Sequence, residues 1–341
     1  MTEPISPLPP QTQKQGILQY MGQKISLCLR ISVLIAALCV AALFAPGPLT
    51  EDKNIVVTHG TTTAAISGQL ANEHAVYSAS LFHIAAKVIA NGSLKAGEYT
   101  IPKYASAVDI VHMMHDGKSV VRMFTVAEGL TVADIVDSLN DDPILTGQIE
   151  VMPAEGSLLP ETYRYDYGDS RAGLIARMKK AMQDRLNEIW ATHDADIPLH
   201  SPQEALILAS IVEKETGKVE ERPRIAGVFY NRLHTNMRLQ SDPTVIYAIT
   251  KGRDTLDRPL THDDLTFASP INTYTSDGLP PQPICNPGVA ALQAVMHPEH
   301  HNFLYFVADG TGGHAFAADL ATQNQNINHW HDAVQKAAHS K

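Results

Sequence analysis

The stretch that decides the fold runs from Ser201 to Tyr247 and reads SPQEALILASIVEKETGKVEERPRIAGVFYNRLHTNMRLQSDPTVIY. Its segment Ala205–Val212 is apolar on every face apart from one serine, which is typical of a helix buried in a core. The preceding Ser201–Glu204 matches a capping box with proline at the first helical position, and Gly217 predicts where the helix stops. The sequence therefore predicts a core helix between these two signals.

Two carboxylic acids, Glu213 and Glu215, fall in the last turn of this helix. The helix dipole disfavours an anion there and burial raises the pKa of a carboxyl group, so either residue suits a general acid. Because they are two residues apart, they point about 200° apart and do not face each other as an acid/base pair. Glu215 continues the apolar stripe of Leu208 and Ile211, which favours it as the desolvated acid. The alternative is that the carboxylates only pair with basic neighbours at the helix end, namely Lys214, Lys218 or Arg222.

A dense polar set follows the two glutamates along the chain: Asn231, Arg232, Arg238, Gln240 and Asp242. Carboxylates at the end of a buried helix cost folding energy, and a chain that accepts this cost usually has chemistry for them to do. The polar set downstream therefore favours a functional site over a simple solvated helix end.

The rest of the second half predicts further helices at about Arg171–Thr192, Pro223–Leu233 and Gly288–Met296. Phe303–Val307 reads as a core strand that returns at Ala315–Phe316 after a tight glycine-rich turn. Helices mixed with short strands predict an α+β fold.

One membrane-length segment lies near the N-terminus, at Ile25–Ala45, long enough to cross the hydrocarbon core as a helix. Basic residues precede its apolar part and acidic residues follow it, so the positive-inside rule predicts residues 1–24 in the cytoplasm and the rest outside. A cleaved signal peptide is the alternative. The run is long for a signal peptide and Pro46 follows at once, which favours an uncleaved anchor.

A strand, a turn and a capped helix recur three times between about residues 54 and 140. The same helix-cap position is occupied by Thr62, Ser106 and Thr131, and the same apolar position by Ile66, Ile110 and Ile135. The repeats predict a small α+β module that binds an extended polymer or a partner, with a simple spacer as the alternative. We therefore predict a disordered tail at 1–24, a transmembrane helix at 25–45, this module at 46–150 and a catalytic domain at 151–341.

Charge and cysteine usage exclude some classes of protein. The net charge of the 341-residue chain is −10 and no long basic stretch is present, which argues against a nucleic-acid binder. Cys28 and Cys39 lie in the apolar segment and Cys285 is alone outside it, so no intramolecular disulfide is expected there and no CxxC pattern suggests a metal.

Six separated motifs carry a resemblance to a known family: ASIVEKET at 209–216, NRL at 231–233, MRLQSDPTVIY at 237–247, NTY at 272–274, GLPPQPICNPG at 278–288 and YFVADGTGGHAF at 305–316. In this order they resemble the endolytic murein transglycosylases of the YceG-like family, over roughly residues 54–335. The resemblance implies a LysM-like front module, an anchor in the inner membrane with the bulk of the chain on the periplasmic side, and peptidoglycan glycan strands as the substrate. It also implies peptidoglycan synthases at the membrane as candidate partners and calls for no cofactor.

The resemblance further implies a reaction and its residues. Such enzymes cut the β-1,4 bond between N-acetylmuramic acid and N-acetylglucosamine within a strand, leave 1,6-anhydro ends without adding water, and so terminate or release nascent strands. The family's catalytic glutamate corresponds to the second Glu of EKE, Glu215. The residues expected to orient it or to bind the sugar are Glu213, Asn231, Gln240, Asp242, Asn272 and Tyr274. Tyr163 and Tyr247 could stack on a sugar face or be ordinary core residues.

Two rival functions remain open from the residues. A metal hydrolase is suggested by the histidines near the C-terminus, but no H-E-x-x-H occurs, and Pro298 blocks regular helical spacing between His297 and His300. The other rival is a non-catalytic membrane-anchored scaffold that binds peptidoglycan, for which the glutamate turn would be purely structural.

Overall fold

A computed structural model describes residues 10–253 and 256–339. The predicted membrane segment forms the later part of one long helix, α1 (Pro10–Phe44), in which Tyr20–Phe44 is long and apolar enough to span a bilayer. A signal sequence meets the same test. Residues 10–24, which we predicted to be disordered, are helical, because extending an existing helix needs no new nucleus. The first nine residues of that predicted tail lie outside the described part of the chain.

The contacts divide the chain into two compact units, one of residues 1–121 with 166–168 and one of residues 122–165 with 169–341. The first unit contains α1 and then β1 (Lys53–Val57), α2 (Thr63–Asn72), α3 (Ala79–Ile89), β2 (Gly97–Ile101) and α4 (Ala107–Asp116). Strands β1 and β2 pair antiparallel, with Lys53 opposite Ile101. Between them and the helices lies a core that includes Phe82 and Tyr99, both fully buried.

The predicted helix caps and apolar positions of the three repeats are confirmed. The hydroxyls of Thr62, Ser106 and Thr131 each accept a hydrogen bond from a backbone N–H in the first turn of the following helix. The isoleucine of each repeat is buried, namely Ile66, Ile110 and Ile135. Helix α3, between the first and second repeats, was not predicted.

The third repeat belongs to the second unit. It consists of β3 (Arg122–Thr125) and α5 (Val132–Asp141), and β3 pairs antiparallel with β4 (Thr162–Tyr165). The contacts therefore group residues 122–150 with the second unit, whereas our functional boundary at residue 150 stays a prediction.

Helices dominate the remainder of the second unit. They are α6 (Arg171–Trp190), α7 (Pro202–Glu215), α8 (Arg222–His234), α9 (Asp242–Thr250), α10 (His262–Leu265), α11 (Val289–Met296) and α12 (Leu320–His339), with a 3₁₀ turn at Val219–Glu221. Strands β5 (Tyr305–Ala308) and β6 (His314–Ala317) form the predicted antiparallel return, with Val307 opposite Ala315. The apolar body of α7 is buried in a core shared with α8 and α11.

The start of α7 differs in one detail from the predicted capping box. Ser201 accepts a hydrogen bond from the Glu204 N–H, as predicted. The Glu204 carboxylate, however, accepts from the backbone N–H of His200 and not from that of Ser201. The bond from the Glu204 N–H to the serine side chain is therefore formed as in a capping box, whereas the bond to the glutamate side chain comes from the residue before the cap.

Helix α7 ends where Gly217 predicted, but Gly217 does not take the left-handed conformation of a glycine cap. The helix ends at Glu215, and Thr216 takes an extended backbone with φ −145° and ψ 137°. β-Branched residues favour this conformation, and the Thr216 hydroxyl accepts from the Lys218 N–H, which stabilises the turn that follows. Gly217 has no left-handed backbone and is not the cap.

Candidate active site

Helix α7 brings two carboxyl groups to one end of the buried core. Residues Ala205–Val212 are all buried, so packing fixes the middle two turns of the helix. Glu213 and Glu215 then leave its last turn toward different neighbours, as their helical spacing predicts. The two carboxyl groups therefore have separate environments.

Glu213 is fully occupied by structural partners. Its Oε1 accepts from Nη2 of Arg222 at 2.7 Å, and its Oε2 accepts from the Gly288 backbone N–H at 3.0 Å. The Glu213 and Arg222 side chains are only 5% and 4% exposed, which makes this a buried ion pair. Burial raises the pKa of Glu213, and the Gly288 bond and the Arg222 charge oppose that rise. Glu213 therefore forms the ion pair with a basic neighbour that the sequence left open as an alternative.

Glu215 is the carboxyl group with an unoccupied oxygen. Its Oε1 accepts from the Ser241 hydroxyl at 2.5 Å, and no hydrogen bond to its Oε2 occurs among the described residues. Burial raises the pKa of Glu215 from its ordinary value to about 7, although the Ser241 bond acts in the opposite direction. A carboxyl group in this setting holds a proton near neutral pH and can release it, as a general acid must.

Three charged or titratable side chains lie around Glu215. The Asp242 carboxylate raises its pKa further, and the Arg232 guanidinium lowers it. Tyr274 donates a hydrogen bond from its hydroxyl to Asp242 at 2.6 Å, and burial together with the two nearby carboxylates raises the pKa of this phenol. Of the predicted supporting residues, Asp242 and Tyr274 are therefore the ones brought close to Glu215.

Arg232 is fixed by carbonyl groups. Its Nε donates to the Leu304 carbonyl at 2.7 Å and its Nη1 to the Leu239 carbonyl at 2.5 Å. Burial lowers the pKa of Arg232, and the Glu215 charge opposes that change. The guanidinium thus supplies positive charge near the site without forming a hydrogen-bonded ion pair with Glu215.

The side chains of the other predicted supporting residues in this region, Asn231, Asn272 and Gln240, make no hydrogen bond to Glu215, and their role in substrate binding stays a prediction. Asn231 donates from its side-chain amide to the carbonyls of His301 and Phe303, both at 2.9 Å. Asn272 is fully buried and ties together its own loop through backbone bonds. The Gln240 side chain is exposed, while its backbone has φ +47°, which is uncommon for a residue other than glycine. None of these three side chains bonds to Glu215.

Tyr163 and Tyr247 have different surroundings. Tyr163 is buried and its hydroxyl donates to the Leu159 carbonyl at 2.7 Å. It is therefore a core residue, the second of the two roles considered for it. Tyr247 is half-buried, donates to Glu155 at 3.1 Å, and lines a cavity of about 630 Å³. Lys214 and Pro243 also line this cavity, and each is the chain neighbour of a residue of the carboxyl site.

Candidate metal ligands lie apart from the carboxyl site. In the part of the chain that the structure describes, Asp194, Asp196 and His300 offer ligand atoms within 4.8 Å of one another. Asp196 and His300 are exposed, and exposed acidic groups of this kind are common without an ion. His301 and His314 instead hydrogen-bond to other protein groups.

Sequence reasoning missed the residues that hold Ser241 in place. The Ser241 N–H donates to Thr273 Oγ1 at 2.9 Å, and the Ser241 carbonyl accepts from Thr244 Oγ1 at 2.6 Å. Ser241, Thr244 and Thr273 are all buried. The order Ser-Asp-Pro was a detectable signal, but it reads as an ordinary helix cap followed by proline in the first turn.

Comparisons with known proteins give matches over most of the chain. The YceG-like family matches residues 55–329. The "Endolytic murein transglycosylase" of Bacillus subtilis (strain 168) is 28% identical over 315 residues, which is 82% of this chain and 86% of the relative. A protein with the same name from Streptococcus pneumoniae serotype 2 is 29% identical over 309 residues, 77% of this chain, but the match spans only 55% of that longer relative.

A solved structure also matches. The crystal structure of a "Putative yceG-like Protein" from Listeria monocytogenes is 31% identical in sequence, with a TM-score of 0.48. The match covers 81% of this chain and 99% of that one.

Proposed function

Since the chain belongs to the YceG-like family, we propose that it is an endolytic murein transglycosylase, a lyase that cuts peptidoglycan glycan strands internally. The proposal draws on the curated relatives of that name, one of which matches along 86% of its own length. The observation that supports a catalytic role for one residue is the state of the Glu215 carboxyl group. Its pKa is about 7, and among the described residues it accepts a single hydrogen bond, from Ser241.

The first step is protonation of the leaving group. Protonated Glu215 donates its proton to the oxygen of the β-1,4 bond between N-acetylmuramic acid and N-acetylglucosamine. The bond from C1 to that oxygen breaks, and the N-acetylglucosamine side leaves with a hydroxyl group. Positive charge develops at C1, and the Glu215 carboxylate that remains is ionised beside it.

The second step closes the sugar on itself. The C6 hydroxyl of the same muramic acid attacks C1, and Glu215 accepts the proton that this hydroxyl loses. The product is a 1,6-anhydro end, no water is consumed, and Glu215 regains the proton it gave. Glycosidases that use water or a covalent intermediate need a second carboxylate, whereas here the nucleophile belongs to the substrate. Glu213 cannot serve as that second group, because both of its oxygens are bound.

The apolar helix and the front module fit the same function. We infer that α1 holds the chain in the inner membrane with the N-terminus in the cytoplasm, which keeps the second unit on the side where peptidoglycan lies. The strand–turn–helix repeats are proposed to form a LysM-like module that binds the glycan. An enzyme held there, beside a synthase as its proposed partner, would cut strands while they are being made and so terminate or release them.

Mass spectrometry of the products tests the reaction. The full-length chain in detergent is incubated with uncrosslinked glycan strands, beside Glu215→Gln and a control, Glu220→Gln, which removes an exposed carboxylate of the same unit. We expect new anhydro-muramyl ends from the wild type and the control only. Reducing ends that carry added water would mean a hydrolase with a second carboxylate, for which Asp242 is the nearest candidate. Binding without any cleavage would favour the scaffold.

A further inference from the structure

Ser241 precedes helix α9 at the cap position, yet its side chain does not cap the helix. Serine at this position normally accepts a hydrogen bond from an N–H of the first turn. Here the hydroxyl donates instead to Glu215. A buried serine that forgoes the local bond for one to a carboxyl group 26 residues away indicates a role at that carboxyl group.

The backbone of Ser241 is held by two threonines in a closed ring of hydrogen bonds. The Ser241 N–H donates to Thr273 Oγ1 at 2.9 Å, the two threonine hydroxyls lie 2.9 Å apart, and Thr244 Oγ1 donates to the Ser241 carbonyl at 2.6 Å. Each member of the ring is buried, so water does not compete for these bonds.

This ring permits one arrangement of protons. A carbonyl oxygen only accepts, so the Thr244 hydroxyl proton is committed to Ser241. The bond between the two threonine hydroxyls must then use the proton of Thr273, with Thr244 accepting. Thr273 in turn accepts from the Ser241 N–H. Both backbone groups of Ser241, its N–H and its carbonyl, are therefore hydrogen-bonded within the ring. Its side-chain hydroxyl takes no part in the ring and donates to Glu215.

Since Oε1 of Glu215 is bound by this hydroxyl, the two oxygens of the carboxyl group are not equivalent. We propose that Ser241 is a positioning residue, that Thr244 and Thr273 set its orientation, and that the proton given to and taken from the glycan therefore travels on Oε2 of Glu215. The inference rests on the proposed function for the identity of the proton acceptor. It adds which oxygen acts and which three hydroxyl groups enforce that choice.

Other groups that face Glu215 must be kept constant in the test. They are Asp242 at the start of α9, Arg232 of α8 and the phenol of Tyr274 in the following loop. None of them is altered by a Thr→Val exchange, which keeps the shape of the side chain and removes only its hydroxyl. The matched control is Thr192→Val, because the Thr192 hydroxyl also donates to a carbonyl three residues back and has no bond to the site.

The variants Thr244→Val, Thr273→Val and Ser241→Ala are compared with wild type, with Thr244→Ser as the conservative rescue and Thr192→Val as the control. For the first three we expect kcat to fall about tenfold with KM unchanged, since one hydrogen bond to a charged group is lost or misdirected. The upper limb of the pH profile should move to higher pH, because the Ser241 hydroxyl that supports the ionised carboxylate is absent in Ser241→Ala and misdirected in the two threonine variants. Thr244→Ser and Thr192→Val should keep both the wild-type rate and the wild-type profile.

A lower melting temperature with an unchanged kcat and pH profile in the three variants would overturn the inference, because the ring would then serve stability only. A second readout separates this failure from that of the proposed function. The Glu215 carboxyl carbon is titrated by ¹³C NMR in the full-length chain and assigned by its absence in Glu215→Gln. An upward shift of its titration midpoint in Ser241→Ala would support the inference even if wild type cut no glycan, and an unchanged midpoint would refute it.

Discussion

Glu213 and Glu215 leave the same turn of α7 and meet opposite kinds of partner, a guanidinium at 2.7 Å for Glu213 and a hydroxyl at 2.5 Å for Glu215. Burial raises the pKa of both carboxyl groups, but Arg222 opposes the rise at Glu213 and both of its oxygens are bonded, whereas Glu215 has a pKa of about 7 and one oxygen without a bond among the described residues. This difference supports the assignment of Glu215 as the proton carrier and of Glu213 as part of the scaffold that fixes the helix end.

Removal of Glu213 should destabilise the second unit strongly. Glu213→Ala leaves the Arg222 guanidinium buried with only the more distant Glu128 carboxylate, at 3.4 Å, to oppose its charge. Two more of its nitrogens, Nε and Nη1, already lack hydrogen-bond partners among the described residues. We expect the free energy of unfolding to fall by about 3–5 kcal/mol.

Chemical denaturation followed by tryptophan fluorescence measures this effect, because both tryptophans, Trp190 and Trp330, belong to the second unit. A double-mutant cycle with Arg222→Ala should be strongly non-additive. Glu220→Ala, at an exposed position, is the control and should stay within about 0.5 kcal/mol of wild type. Additive losses in the cycle would show that the two side chains do not depend on each other.

The stability of the second unit should depend on pH through Glu215. Its pKa is about 7 in the folded state and near the ordinary value of 4.5 when unfolded. The folded state therefore binds this proton more tightly, and the stabilisation is complete below pH 4.5 and is lost as pH rises through 7. Glu215→Gln stays neutral and should lack this contribution to the pH dependence, whereas Glu220→Gln should retain it. Parallel stability–pH curves for wild type and Glu215→Gln would contradict the raised pKa.

Gly227 in α8 should not tolerate a side chain. A Cβ atom at this position would overlap the backbone carbonyl of Glu299 and lie 2.7 Å from Nε2 of His301. Because a backbone group cannot move aside cheaply, we expect Gly227→Ala to lower the free energy of unfolding by about 1–3 kcal/mol. Gly217→Ala is the control, since a Cβ atom there would meet no atom within 4 Å, and it should be close to neutral. Equal stability of the two variants, measured by the same denaturation, would contradict this packing.

Tyr247 should contribute to binding of the glycan through its ring. It lines the cavity of about 630 Å³ that Lys214 and Pro243 also line, and sugar rings pack well on aromatic faces. We expect Tyr247→Ala to raise KM with little change in kcat, measured on uncrosslinked strands. Tyr247→Phe keeps the ring and loses only the hydroxyl, which donates to Glu155 and accepts from Gln282, so its KM should remain near that of wild type. A similar rise of KM in both variants would assign the effect to the hydroxyl.

Features with a local cause were predictable from the sequence. The helix caps at Thr62, Ser106 and Thr131 follow from short-range bonds between a hydroxyl and an N–H three residues later. The buried body of α7 follows from its unbroken apolar run. The helix stop before Gly217 was predicted, but not its mechanism: Thr216 takes an extended backbone and its hydroxyl accepts from the Lys218 N–H, and Gly217 is not left-handed.

The site itself was predictable only in part. The helical spacing of Glu213 and Glu215 indicated that they would face different neighbours, but not which neighbours. Asn231 and Asn272 were predicted to orient Glu215 or to bind the sugar, and their side-chain amides donate to backbone carbonyls of nearby loops. A polar side chain in a motif carries no information on whether a backbone group or a substrate will occupy it.

By itself, the sequence determined a buried helix that ends in two glutamates, a membrane-length apolar segment and three capped repeats, because hydrophobic periodicity and capping act over a few residues. Only the tertiary structure decided which glutamate forms an ion pair with an arginine and which keeps one carboxyl oxygen without a hydrogen bond among the described residues. Arg222 reaches Glu213 from the next helix, and Ser241 reaches Glu215 across 26 residues with its backbone fixed by Thr273 a further 32 residues along. Burial and hydrogen-bond partners of this kind arise only when distant segments pack, and they set the pKa that the proposed chemistry needs.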